Sequence, residues 1–211
     1  MPNIYKNTFI DLAIILLLGL LSISWFRGDF LIKYQDSFIG LSPSYELTLS
    51  SYVWNPTFST GVAEGPRLML MYPYQLFMFF LETTGFSIIA SEKLLYYLLF
   101  TLSGLSMYYL SSVATDKNNR RVTGLMSALF YMMNPFTLIN MFGWAQSTIY
   151  FAYSIAPLQL ALFIKAVKTN QFKYLFLILL VWLAFSPALV NPAFVVPIWL
   201  MQIMYLIFHA L

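Results

Sequence analysis

The chain is 211 residues long, 60% hydrophobic and only 9% charged, with a mean hydropathy of +0.75. A water-soluble domain of this length could not reach those values without exposing large apolar patches. A net charge of +3 is too small, and too divided along the chain, to imply a nucleic-acid partner. The absence of cysteine removes disulfides, thiolate nucleophiles and cysteine-based metal sites, and a single histidine, His209, cannot form a cluster.

Long apolar windows without two-residue alternation predict an all-α polytopic membrane bundle of about six spans, a single membrane domain over residues 1–211. The first span, Thr8 to Phe26, follows a short segment containing Lys6 and is long enough to cross a ~30 Å hydrocarbon core. Bulky Trp25-Phe26 after Ser22-Ile23-Ser24 argues against signal-peptide cleavage, so this span reads as an uncleaved anchor with Trp25 at the interface. Residues 27–90 follow as an outer loop. Within it Leu68 to Leu81 is apolar for only 14 residues, roughly 21 Å as a helix, which predicts a short interfacial helix that does not cross. Five further spans are expected at Ser91–Val113, Val122–Phe142, Trp144–Ile164, Phe172–Ser186 and Ala193–Ala210, with Pro135, Pro157 and Pro197 marking kinks or ends.

Orientation follows from the basic residues. The turn from Asp116 to Arg121 and the turn from Lys165 to Lys173 are the two strongly basic short connections, so both belong on the cytoplasmic side with Lys6. Exactly two crossings then separate Lys6 from Asp116, which places residues 27–90 outside and both ends of the chain in the cytoplasm. Six of the eight acids, Asp29, Asp36, Glu46, Glu64, Glu82 and Glu92, fall on the outer side. The expected location is a plasma membrane.

The outer loop is where chemistry is expected. Asp29 lies just past the first span, and Asp36 is seven positions further along an apolar segment; on a helix that spacing puts both carboxylates on one face about 10 Å apart. A pair held this way could bind a divalent cation with its phosphate ligands, or supply a general base towards a hydroxyl, although ordinary solvated acids would show the same spacing. No other cofactor is expected. Glu64-Gly65-Pro66-Arg67 offers an arginine that could clamp a phosphate, or simply snorkel from a turn. Trp54-Asn55-Pro56 with Tyr45, Tyr52, Tyr72 and Tyr74 supplies aromatic surface that stacks on sugars or anchors at headgroups, and Asn191-Pro192 could cap a helix and present an amide. Asp11 is expected at the cytoplasmic interface, and Glu92-Lys93 reads as a helix start whose carboxylate complements the dipole.

The order of these features resembles a known family. A first helix, a loop with the early Asp29, a later Trp54-Asn55-Pro56, the aromatic run Tyr72-Pro73-Tyr74-Gln75-Leu76-Phe77 and Glu92-Lys93-Leu94-Leu95 leading into a span rich in Gly, Ser and Tyr look like the N-terminal region of GT-C superfamily glycosyltransferases, which use polyprenyl-phosphate sugars. The chain is most similar to the large arabinofuranosyltransferases of cell-wall arabinan, over about residues 8–113. Family members are several times longer, so the chain reads as the N-terminal part of such a protein. The resemblance implies a catalytic base or metal ligand at Asp29 or Asp36, the donor phosphate at Arg67 or Lys33, and further substrate contacts from Glu64, Trp54 and Asn191. The implied partners are a polyprenyl-phosphate sugar, a glycan acceptor and the lipid bilayer. The family often pairs its acids more closely, whereas this chain has no Asp-Asp, Asp-Glu or Asp-x-Asp. A transporter or flippase of lipid-linked saccharide would place ionisable groups near the middle of its spans, and here they stand at the span ends. A non-catalytic assembly subunit is the third reading.

Overall fold

The computed structural model describes residues 2–32, 40–55, 61–63, 65–116, 119–139 and 147–210, and these form an all-α bundle. Helix α1 (Pro2–Gly19) runs into a 3-10 turn over Leu20–Trp25. The outer segment holds α2 (Pro43–Ser50), a two-residue antiparallel ribbon of β1 (Trp54–Asn55) and β2 (Val62–Ala63), and α3 (Gly65–Thr83). The long α4 (Ile88–Ala114) follows, then α5 (Arg120–Met133), α6 (Pro135–Ile139), α7 (Ser147–Thr169), α8 (Phe172–Ala184), a 3-10 turn over Ser186–Val190 and α9 (Pro192–Ala210). Among the described residues five stretches are long and apolar enough to cross a membrane: Thr8–Trp25, Ile88–Ala114, Arg120–Ile139, Thr148–Thr169 and Pro192–Ala210.

These coincide with five of the six expected spans. At the sixth, α8 is an apolar helix of only 13 residues, about 20 Å long and short of a full span, followed by a 3-10 turn over Ser186–Val190. The expected 14-residue interfacial helix is 19 residues long. Gly65-Pro66 begins it a turn early, since proline fits the first helical turn, and Gly85 ends it with φ +90° while the amide of Phe86 closes back on the carbonyl of Leu81 at 3.0 Å. Apolar periodicity alone marks neither end.

Two ends of the bundle can be told apart by side-chain contacts. At one end Asp11 of α1 meets Arg121 of α5 and Tyr108 of α4, Lys165 of α7 lies over Tyr109 of α4 and Tyr174 of α8, and Tyr205 of α9 stands against Phe163 of α7. At the other end Phe26 packs edge-on against Tyr96, Tyr96 lies beside Tyr150, and Tyr74 meets Phe151, which in turn contacts Phe185. Successive long helices therefore alternate in direction. Helix α4 sits in the middle, packed on α1, α5 and α7.

The core is apolar with small residues at the closest crossings, as expected where lipid offers no hydrophobic drive between helices. Ile15, Phe100, Ala128, Met132 and Ile155 are fully buried. A side chain at Gly19 would run into Thr101, and one at Gly104 into Met132 and Ile15, so these glycines set how closely α1 and α5 approach α4.

At Asn134-Pro135 the predicted kink appears as a break between α5 and α6. Proline has no N–H, and the carbonyl of Tyr131 instead accepts from Asn134 Nδ2 at 2.7 Å, Tyr153 Oη at 2.7 Å and Thr137 Oγ1 at 3.1 Å. Asn134 Oδ1 accepts the Thr137 amide at 3.0 Å, and the Tyr131 and Tyr153 rings stack with centroids 4.1 Å apart. Such replacement is what a backbone at membrane depth requires.

Candidate functional site

The site is built where the chain leaves α1. Past the 3-10 turn the backbone reverses through Gly28, whose φ of +66° suits glycine, and Asp29 follows it exposed to solvent. Two contacts hold this segment on the first turns of α4. Lys93 Nζ donates to the carbonyl of Gly28 at 3.3 Å and lies 5.8 Å from the centre of the Phe26 ring. Glu92 Oε2 accepts the amide of Ile32 at 3.1 Å. Asp29 is thus bracketed by two anchored residues.

Glu92 is fully buried, and beyond the Ile32 amide its Oε1 has no hydrogen-bond partner, as is also true of Tyr96 Oη one turn on. A buried carboxyl is costly unless it is hydrogen-bonded, so the Ile32 contact serves the carboxyl as much as the loop. The sequence assigned Glu92-Lys93 only a helix-start role. Its partners are 60 and 65 positions away in the chain, and no local pattern could reveal them.

Below this bracket lies an apolar cleft of about 230 Å³, with Tyr74 and Phe77 of α3 on one wall and Leu95, Leu98 and Leu102 of α4 on the other. Leu95, on the cleft wall, is one turn from Glu92. Tyr74, grouped by sequence with the exposed aromatics, is only 3% exposed and belongs to this wall and the core. The loop is further fixed from above: Glu82, at the end of α3, accepts from the Ser44 amide at 3.0 Å and from the Ser44 hydroxyl, capping the start of α2.

The other predicted site residues divide clearly. Trp54 is exposed on β1, paired with Ala63, and its indole lies against Gly61, where φ is +97° and a side chain would collide with the ring. Asn191 is exposed and its Oδ1 accepts the Ala193 amide at 3.1 Å, so it caps the start of α9. Arg67 stands in the first turn of α3. Asp36, Lys33 and Glu64 lie outside the described residues. Among the described residues no group of three or more Asp, Glu or His side chains gathers to hold a metal ion. Asp36, the expected partner of Asp29 in such a site, is not among those residues.

At the opposite end Asp11 is fully buried, and Arg121 grips it from two nitrogens, Nε to Oδ2 at 2.9 Å and Nη2 to Oδ1 at 3.0 Å, while Tyr108 donates to Oδ2 at 3.3 Å. Sequence placed Asp11 at the interface and used Arg121 only for orientation. Their bond, across 110 positions, ties α1 to α5.

No known family, curated protein or solved structure matches this chain.

Proposed function

We propose that the chain is the membrane core of a glycosyltransferase that moves a sugar from a polyprenyl-phosphate donor to a glycan, lipid or protein acceptor at the outer face of the plasma membrane. The observation that supports this most is the meeting, at the Glu92 end, of an exposed carboxylate, an ammonium group and an apolar cleft. A lipid-linked sugar needs all three. The isoprenoid chain lies in the cleft between α3 and α4, and the phosphate meets the Lys93 ammonium beside Gly28. Asp29 takes the proton from the acceptor hydroxyl as its oxygen attacks the anomeric carbon; the bond from that carbon to the phosphate oxygen breaks, and polyprenyl phosphate leaves with the electron pair. Asp36 is the alternative base. The buried acids Asp11 and Glu92 stand at the two ends of the bundle rather than at its middle, which weighs against a transported substrate.

The test is transfer of labelled sugar from a polyprenyl-phosphate donor by full-length protein in vesicles of defined orientation. Leu98, 42% exposed on the cleft wall, gives a matching variant. Leu98→Trp fills the cleft from its open side and is expected to raise KM for the lipid-linked donor about tenfold while leaving a short-chain donor unaffected. Equal effects on both donors would remove the cleft from the donor site.

Sidedness is checked separately. The chain has no cysteine, so single cysteines report without background. Ser51 and Asp116 are both exposed and stand at opposite ends. Ser51→Cys should react with an impermeant maleimide added outside intact cells, and Asp116→Cys only after permeabilisation. Labelling of both from one side contradicts the topology.

A further inference from the structure

Glu92 and Tyr96 carry hydrogen-bonding capacity that neither the fold nor the reaction as drawn uses. Glu92 is fully buried; its Oε2 accepts the Ile32 amide at 3.1 Å, and its Oε1 has no partner among the described residues. Tyr96, one turn on along the same face of α4, is 2% exposed, and its hydroxyl is also without a partner there. Side chains on a helix lean towards its N-terminus, which carries the Tyr96 hydroxyl over the turn that holds Glu92. An empty acceptor therefore stands beside an empty donor. Leaving both unmet in a buried place is costly, and the two do not bond each other.

Tyr74 joins this pair to the cleft. It lines the cleft from α3 and is, among the described residues, the one polar side chain on its wall. Burial, and after it the neighbouring Glu92 and Tyr96, push the Tyr74 hydroxyl above the ordinary tyrosine range, so it stands close enough to feel both. A ligand with a hydrocarbon tail in the cleft and a hydroxylated head meets every demand: one hydroxyl group donates to Glu92 Oε1 and accepts from Tyr96. We infer that Glu92 and Tyr96 recognise a hydroxyl of the donor's sugar and so help set which sugar is transferred. The inference rests on the glycosyltransferase reading and adds a sugar site to it. The segment from Phe26 to Ile32 closes over the pair, with Phe26 edge-on to the Tyr96 ring at 5.5 Å, and must lift to admit the sugar. Its outer hold is Lys93 on the Gly28 carbonyl, exposed and 3.3 Å long, and a donor phosphate is a stronger acceptor for that ammonium. Arrival of the phosphate loosens the strap, and the sugar passes beneath it.

Transfer kinetics of the full-length protein with a polyprenyl-phosphate sugar and its monodeoxy analogues test this through Tyr96→Phe. That change removes one oxygen and keeps the ring against Phe26 and Tyr150. Because the lost hydroxyl has no partner, the unfolding temperature without donor should stay level or rise. KM for the parent donor should rise about tenfold. One monodeoxy donor should show the same loss with wild type and no further loss with Tyr96→Phe, the pattern of a site built around a substrate hydroxyl. Tyr109→Phe, which deletes a hydroxyl at the opposite end of the bundle, should behave as wild type. A Tyr96→Phe protein that handles every donor like wild type, or loses equally on all of them, overturns the inference. So does a fall in its unfolding temperature without donor, which marks a structural hydroxyl. Wild-type protein that transfers no sugar from a polyprenyl-phosphate donor overturns the glycosyltransferase reading and this site with it.

Discussion

Asp29→Asn is expected to lower sugar transfer by about 10²-fold or more, because asparagine keeps the size of the side chain and removes its basicity. Folding should be nearly unchanged, since Asp29 is exposed and its segment is anchored through Gly28 and Ile32 rather than through the carboxylate. Donor binding is measured alongside turnover, so that lost binding is not taken for lost chemistry. Asp116→Asn, an exposed acid at the far end, is the control and should stay within a few-fold of wild type. Glu92 supplies a second arm. Glu92→Ala removes the acceptor for the Ile32 amide and should reduce kcat about tenfold by loosening the segment that holds Asp29. Glu92→Gln retains an acceptor oxygen and should restore most of that loss. If Asp29→Asn and Asp36→Asn both turn over like wild type in a protein shown to be active, the loop is not catalytic.

Arg121→Ala should destabilise the bundle more than any other single change at the Asp11 end. It leaves the fully buried Asp11 carboxylate without its charged partner, the Tyr108 hydroxyl remaining, and a buried charge deprived of its partner costs far more than the pair contributed. Arg121 is itself half exposed, so water recovers part of the loss. The expected result is a fall in unfolding temperature on the order of 5–10 °C in detergent. Arg121→Lys should recover only part of it, because a single ammonium cannot reproduce the two-pronged grip. Asp11→Asn combined with Arg121→Gln removes both charges and should be milder than Arg121→Ala alone. A double variant no more stable than Arg121→Ala would mean that the pair acts through packing rather than charge.

What could be read from the sequence was the part governed by local physics. The spans were legible because an apolar window of bilayer length has few alternatives, and the break at Pro135 because proline lacks a donor. Helix α2 was not, since Pro43–Ser50 is polar and shows no apolar stripe; its start is stabilised by Glu82, 38 positions away from Ser44. The same limit applied to the site. The exposed position of Asp29 just past the first span was legible, whereas the contacts of Glu92 and Lys93 and the Asp11–Arg121 bond depend on partners brought together only by the fold. Tyr74 misled because an aromatic in a polar stretch looks the same whether it faces a headgroup or a neighbouring helix.

The joint at Asn134 has a mechanical meaning. A helix interrupted by proline in lipid can serve as a hinge if its freed carbonyl trades one partner for another as it bends. Here the Tyr131 carbonyl is saturated by three donors from two helices, and the stacked tyrosines clamp the same spot. Bending would have to break several of these contacts together, at about 1 kcal/mol for each hydrogen bond. The break between α5 and α6 is therefore a bracket with no free play, and it fixes the angle at which the chain approaches the crevice of about 440 Å³ between Phe136, Tyr153 and Pro197.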